Sequence, residues 1–188
     1  TFEESDTLIV EGCPGEFKGQ NNLVVQAFYT TCDYLHLGYP TFKLTIDTDV
    51  PFARGLGSSS TCVVAGILAC DAWFKKGMDK MEILKIATSI EGHPDNVAPA
   101  IFGGMTVSLN YKDEIKTISF MPKLNLKMIV AVPEFFLATK KARKALPDKI
   151  PLKDAAFNIG HVSSLVAAMC TGNAKALTYA FDDKIHQP

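Results

Sequence analysis

PFARGLGSSSTCVVAG, residues 51–66, decides how the chain is read. Gly55 and Gly57 let the backbone turn tightly and come close to whatever lies beside it. Ser58, Ser59 and Ser60 stand where helix N-caps belong. Small apolar residues run on from Cys62. A glycine-rich turn feeding a helix presents free N–H groups and the positive end of the helix dipole to the loop. On these residues alone two readings stand: a tight strand-to-helix turn with a serine cap, or a cradle for a phosphate. The loop lacks the Gly-Lys-Ser/Thr ending of a P-loop. It also fails the dinucleotide fingerprint, because Ser60 stands where the third glycine belongs.

The flanks set the loop in a fold. Before it, TFKLTIDTDV alternates Phe42, Leu44 and Ile46 with Lys43, Thr45 and Asp47, a half-buried strand that Pro51 ends. After it, STCVVAGILACDAWFKKG predicts a buried helix with close backbone packing, stopped by Gly77. Asp79 caps the next helix, with Glu82 three residues on and Ile83, Ile86, Ala87 and Ile90 at helical spacing. That helix delivers Glu91, with Gly92 to stop it. Upstream, DTLIVEG predicts a short strand, and NNLVVQAFYTTCDYLHLG a helix capped by Asn22 and ended by Gly38. Downstream, MTVSLNY and IKTISF form a hairpin, and LKMIVAVP predicts an apolar strand stopped by Pro133. Two helices follow, in AAFNIGHVSSLVAAMC and in NAKALTYAF, the second capped by Asn173. Paired helices and hairpins predict an α+β protein.

Bulk properties exclude several classes. The 188 residues are 47% hydrophobic with a formal net charge of −1. No global field favours nucleic acid or an anionic membrane, and no apolar run nears the ~18 residues of a membrane span. TFEESDTLIV has neither the basic end nor the apolar core of a signal peptide. Five cysteines, an odd number with no CxxC, argue against a disulfide framework or zinc knuckle and for a reducing cytoplasm. The chain starts at Thr1 and stops after FDDKIHQP, so it is expected to be an internal piece of a longer protein.

Two further segments carry chemistry. EGHPDN, residues 91–96, gathers an acid, an imidazole, a second acid and an amide around Gly92 and Pro94. Glu91 suits Mg²⁺, which takes one or two carboxylates plus phosphate oxygens. His93 reads alone as a structural histidine, and Asp95 or Asn96 as a turn or N-cap for NVAPA. TKKAR, residues 139–143, reads as a solvated basic face or as a grip in which Arg143 holds a carboxylate or phosphate.

Together these segments resemble the GHMP small-molecule kinases, and EGHPDNVAPAIFGG and TKKAR resemble the homoserine-phosphorylating branch. The resemblance implies the GHMP kinase fold: a ribosomal protein S5 domain 2-like first domain over 1–121, lacking its first strands, and the start of a ferredoxin-like second domain over 122–188. It implies ATP-binding by Pro51, Arg54, Gly55, Leu56, Gly57, Ser58, Ser59 and Ser60. Glu91 and either Ser58 or Ser59 would hold Mg²⁺. His93, Asn96, Thr139 and Arg143 would contact the acceptor, with Arg143 on its carboxylate. The implied reaction transfers a phosphoryl group from ATP to the hydroxyl of L-homoserine, with Glu91, Asn96 and Asp95 as catalytic candidates. Asp95 is the carboxylate that could be the general base some relatives use; the reading preferred is that Asn96 orients the hydroxyl without a strong base. A mevalonate- or sugar-type alcohol as acceptor, and a nucleotide-binding module without catalysis, are the alternatives. The family's N-terminal substrate motif and C-terminal glycine-rich motif are missing, so this length alone is expected to have little activity. A homodimer is expected, without nucleic acid or membrane as partner.

Overall fold

The computed structural model describes residues 1–52, 54–131 and 146–187. The chain divides into two compact units, Thr1–Ser119 and Phe120–Pro188.

The first unit opens with β1 (Phe2–Glu4) and β2 (Ile9–Glu11), followed by α1 (Leu23–Tyr34) and β3 (Phe42–Thr45). Strand β3 lies in the middle, antiparallel to β1 and parallel to β2, with Phe2 opposite Leu44 and Ile9 opposite Lys43. Phe42 and Leu44 face the core, as the alternation predicted. Helix α2 (Ser58–Phe74), α3 (Lys80–Glu91) and the short α4 (Val97–Phe102) follow. A hairpin of β4 (Met105–Tyr111) and β5 (Glu114–Phe120) turns on Lys112 and Asp113, both with positive φ.

The core has two parts. Against the sheet, Phe28 and Cys32 of α1 and Cys70 of α2 join Val10, Phe42 and Leu44. An aromatic group sits there, with the Phe28 and Phe42 rings 4.7 Å apart and Phe2 4.9 Å from Phe42. Farther out, Val63, Val64 and Ile67 of α2 meet Ile83, Leu84, Ile86 and Ala87 of α3 and Val97 and Ala98 of α4. The α1–α2 crossing explains the small residues of α2. A Cβ on Gly66 would lie 2.3 Å from the Val24 carbonyl oxygen and 2.8 Å from the Ala27 Cβ. Only glycine lets the two backbones come so close.

Caps set the helix ends. Asn22 Oδ1 accepts from Val24 N at 2.9 Å, and Asp79 Oδ1 accepts from Met81 N and Glu82 N, both at 2.8 Å. Gly92 stops α3 with φ 84°. Two expected stops move. Helix α1 ends at Tyr34, before Gly38, with His36 at φ 53°. Helix α2 ends at Phe74 with Lys75 as its cap, at φ 53° and with its N–H on the Ala72 and Asp71 carbonyls, two residues ahead of Gly77, which also has a positive φ of 69°.

The second unit centres on α5 (Leu152–Thr171), stopped by Gly172 at φ 80°. A 3₁₀ turn (Ala174–Ala176), with Asn173 Oδ1 accepting from Ala176 N at 3.3 Å, leads into α6 (Leu177–Ala180). Lys123 N donates to Met169 O at 2.8 Å. The apolar segment LKMIVAVP, 126–133, is expected as a strand. Among the described residues 126–131 form none, and Met128 is 90% exposed; 132 and 133 lie outside the described residues. A strand needs a ladder partner, which apolar composition alone does not supply.

Candidate active site

Gly55 and Gly57 both take left-handed φ, 71° and 77°, and Gly57 hands the chain to α2 as its N-cap. Thr61 secures the turn: its N–H and its hydroxyl both donate to Gly57 O, at 2.9 and 3.0 Å. The loop therefore sits on the N-terminus of a 17-residue helix whose other side is core. Ser59 is exposed there, whereas Ser60 is buried, 2% exposed.

Helix α3 brings the next group. Its C-terminal Glu91 accepts a hydrogen bond from Ser59 Oγ at 2.5 Å, across 32 residues of sequence. Serine hydroxyl and carboxylate oxygen are both hard donors, the set a magnesium ion takes beside phosphate oxygens. Cys62, one turn into α2, lies near the same carboxylate. Burial pushes its thiol above the ordinary range, and Cys13 and Glu91 push the same way.

Beyond Gly92 the chain turns through His93–Asn96 into α4. His93 Nδ1 and Asp95 Oδ1 are hydrogen-bonded, and Asn96 Nδ2 lies 3.4 Å from the same oxygen. Asn96 precedes α4 but makes no side-chain cap. Instead it borders a cleft of about 260 Å³, with Gly55, Leu56, Gly57 and Thr61 on the loop side and Asn96, Pro99 and Ala100 on the α4 side. Thr61, Pro99 and Ala100 escaped the sequence reading. Helical spacing was the available signal: Pro99 and Ala100 share a face with Asn96, and Thr61 follows Gly57 by one turn.

Of the candidates, the structure places Gly55, Leu56, Gly57 and Asn96 around one cleft and joins Ser59 to Glu91. Ser58 opens α2, and Arg54 and Pro51 precede the loop glycines. Thr139 and Arg143 lie outside the described residues.

Residues 22–104 match the family model "GHMP kinases N terminal domain", so this stretch is similar to the GHMP kinases. Among its relatives, homoserine kinase from Clostridium botulinum strain Okra is 40% identical over 187 residues, 98% of this chain and 62% of its own length. Homoserine kinase from Clostridium acetobutylicum is 41% identical over 170 residues, 90% of this chain and 57% of that protein. The crystal structure of homoserine kinase from Cytophaga hutchinsonii superimposes with a TM-score of 0.80 at 25% identity, covering 100% of this chain and 63% of that one. The chain thus spans about 62% of the length of the first of these relatives. Among the described residues, no helix is long and apolar enough to cross a membrane.

Proposed function

We propose that the protein transfers the γ-phosphoryl group of ATP to the hydroxyl of L-homoserine. The observation that carries this is the joining of the Ser59 hydroxyl to the Glu91 carboxylate beside a glycine turn on a helix N-terminus, with Asn96 across the same cleft. Identity of 40% to a homoserine kinase over nearly the whole chain supports the choice of acceptor.

In this reading the backbone N–H groups of Gly55–Ser59 wrap the phosphates, and the dipole of α2 favours their charge. Glu91 and Ser59 hold Mg²⁺, which neutralises charge building on the transferred group. Pro51, Arg54, Ser58 and Ser60 belong to the nucleotide side. His93 and Asn96 face the acceptor, and Thr139 and Arg143 are assigned to its amino-acid end from the sequence. Phosphoryl transfer rests on positioning and charge neutralisation, so Asn96 orients the hydroxyl without a strong base. Residues 1–121 form the ATP-binding domain and 122–188 the start of the second. The cysteines, all free among the described residues, support a cytoplasmic setting.

The test is calorimetry of ATP·Mg²⁺ on this chain beside Glu91→Gln and Ser59→Ala. Each variant is expected to weaken binding about tenfold, the equivalent of one charge-assisted hydrogen bond of about 1.5 kcal/mol. Unchanged binding in both would remove the metal from this pair. Turnover of L-homoserine, mevalonate and galactose by the protein at its full natural length then decides the acceptor, and binding of ATP with no turnover of any of them would leave a nucleotide-binding module.

A further inference from the structure

Three helical threonines return their hydroxyls to the backbone. Thr31, Thr61 and Thr171 donate to the carbonyl one turn back, Ala27 O, Gly57 O and Ala167 O, at 2.7, 3.0 and 2.8 Å. Thr88 of α3 does not. Its Oγ1 is buried, yet among the described residues it has no hydrogen-bond partner. A buried hydroxyl left unmatched destabilises a fold, so each one asks for a reason.

The position of Thr88 supplies one. Leu84, Thr88 and Glu91 fall at i, i+4 and i+7, one line down α3. Both ends of that line meet α2: Leu84 shares a core cluster with Val63 and Ile67, and Glu91 accepts from Ser59. Thr88 thus stands in the α2–α3 seam, one turn before the carboxylate. Side chains on a helix lean toward its N-terminus, so Glu91 reaches back over Thr88. Among the described residues Glu91 accepts one hydrogen bond, on Oε1, and Oε2 is left for a second. As two ligands of one Mg²⁺, Ser59 Oγ and Glu91 Oε1 would each turn a lone pair to the ion, and the hydrogen bond between them would open. Carboxylates that ligate a metal are themselves held by hydrogen bonds. The Thr88 hydroxyl is a donor on the same helix face with no other use.

We infer that Thr88 is a positioning residue for the metal site: its hydroxyl, unmatched in the metal-free protein, donates to Glu91 Oε2 once Ser59 turns from Oε1 to the ion. This rests on the metal assignment given under Proposed function. One substitution should therefore strengthen the metal-free fold and weaken the grip on the metal.

Thr88→Val keeps the shape of the side chain and removes the hydroxyl. In the protein at its full natural length, its melting temperature without metal is expected to rise by roughly 2–4 °C. Calorimetry of ATP with Mg²⁺ and with EDTA gives the factor by which metal tightens the nucleotide. Thr88→Val is expected to cut that factor about tenfold, the scale of losing a hydrogen bond to a ligating group, with metal-free ATP binding unchanged. Thr88→Ser, which keeps the hydroxyl, is expected to hold the natural factor. In a Glu91→Gln background Thr88→Val should have no further effect on it. A natural factor in Thr88→Val, or an additive loss in the double variant, overturns the inference. So does a fall in metal-free melting, which would show that a buried water or the Leu84 carbonyl already satisfies the hydroxyl. If Glu91→Gln also keeps the natural factor, the metal reading fails and takes the inference with it; if Thr88→Val alone keeps it, only the inference fails.

Discussion

Helices α2 and α5 are built from similar stock and end in opposite environments. Helix α2 buries Ser60, Val63, Val64, Gly66, Ile67 and Cys70 over 17 residues. Helix α5, 20 residues long, buries only Ala168, and Ile159 is 65% exposed. Both carry glycine, alanine, valine and a cysteine. The difference lies in their surroundings. Helix α2 has α1 on one side and α3 and α4 on another, whereas the described part of the second unit gives α5 only short segments to lean on. Apolar composition says that a helix has something to bury; which neighbours arrive decides whether it does.

The comparison can be broken at matched positions. Cys70 of α2 and Cys170 of α5 should differ most. Burial pushes the Cys70 thiol up to about 12, with Cys32, whose Sγ lies 3.6 Å away, adding to the shift. At neutral pH a rise of that size cuts the thiolate fraction about a thousandfold. Mass-spectrometric alkylation of the native protein should label Cys170, which is half-buried, and spare Cys70 until denaturant is added. Equal labelling would mean that α2 is not closed in.

The next effect is Gly66→Val. With a Cβ already 2.3 Å from the Val24 oxygen, the branched side chain should cost more than about 4 kcal/mol, enough to prevent folding. Expression with a near-native urea midpoint would show that α1 and α2 can separate. Ile67→Ala removes a fully buried side chain and should cost about 2–5 kcal/mol in the same denaturation. Ile159→Ala, the counterpart on α5, should change stability by no more than about 0.5 kcal/mol. A loss there as large as at Ile67 would mean that another surface covers α5 in solution.

Local signals made part of this legible in advance. Asn22, Asp79 and Gly92 mark helix ends through their own side chains or φ freedom, so α1 began and α3 began and ended where the sequence placed them. The ends of α1 and α2 did not follow the nearest glycine, because His36 and Lys75 take left-handed φ ahead of it. Residues 126–131 misled for the opposite reason: strand formation is settled by a partner distant in sequence. In the site, the loop conformation followed from Gly55 and Gly57. The meeting of Ser59 with Glu91 spans 32 residues; family resemblance suggested it, and no spacing rule could. The contact of Asn96 Nδ2 with Asp95 Oδ1 went unread because the local reading of Asn96 was an N-cap, which would use its amide oxygen and which the structure does not show.

Gly66 also bears on how the loop moves. Helices held apart by side chains can rock as rotamers shift. Where backbone meets backbone there are no rotamers to take up displacement, so the crossing behaves as a stiff bearing. The 55–59 loop is mounted one helical stretch from that bearing. Whatever adjustment a ligand demands must then come from the torsions of Gly55 and Gly57, not from a tilt of α2. The joint that moves and the anchor that does not are thus two uses of the same residue type, one chosen for its backbone freedom and the other for its missing side chain.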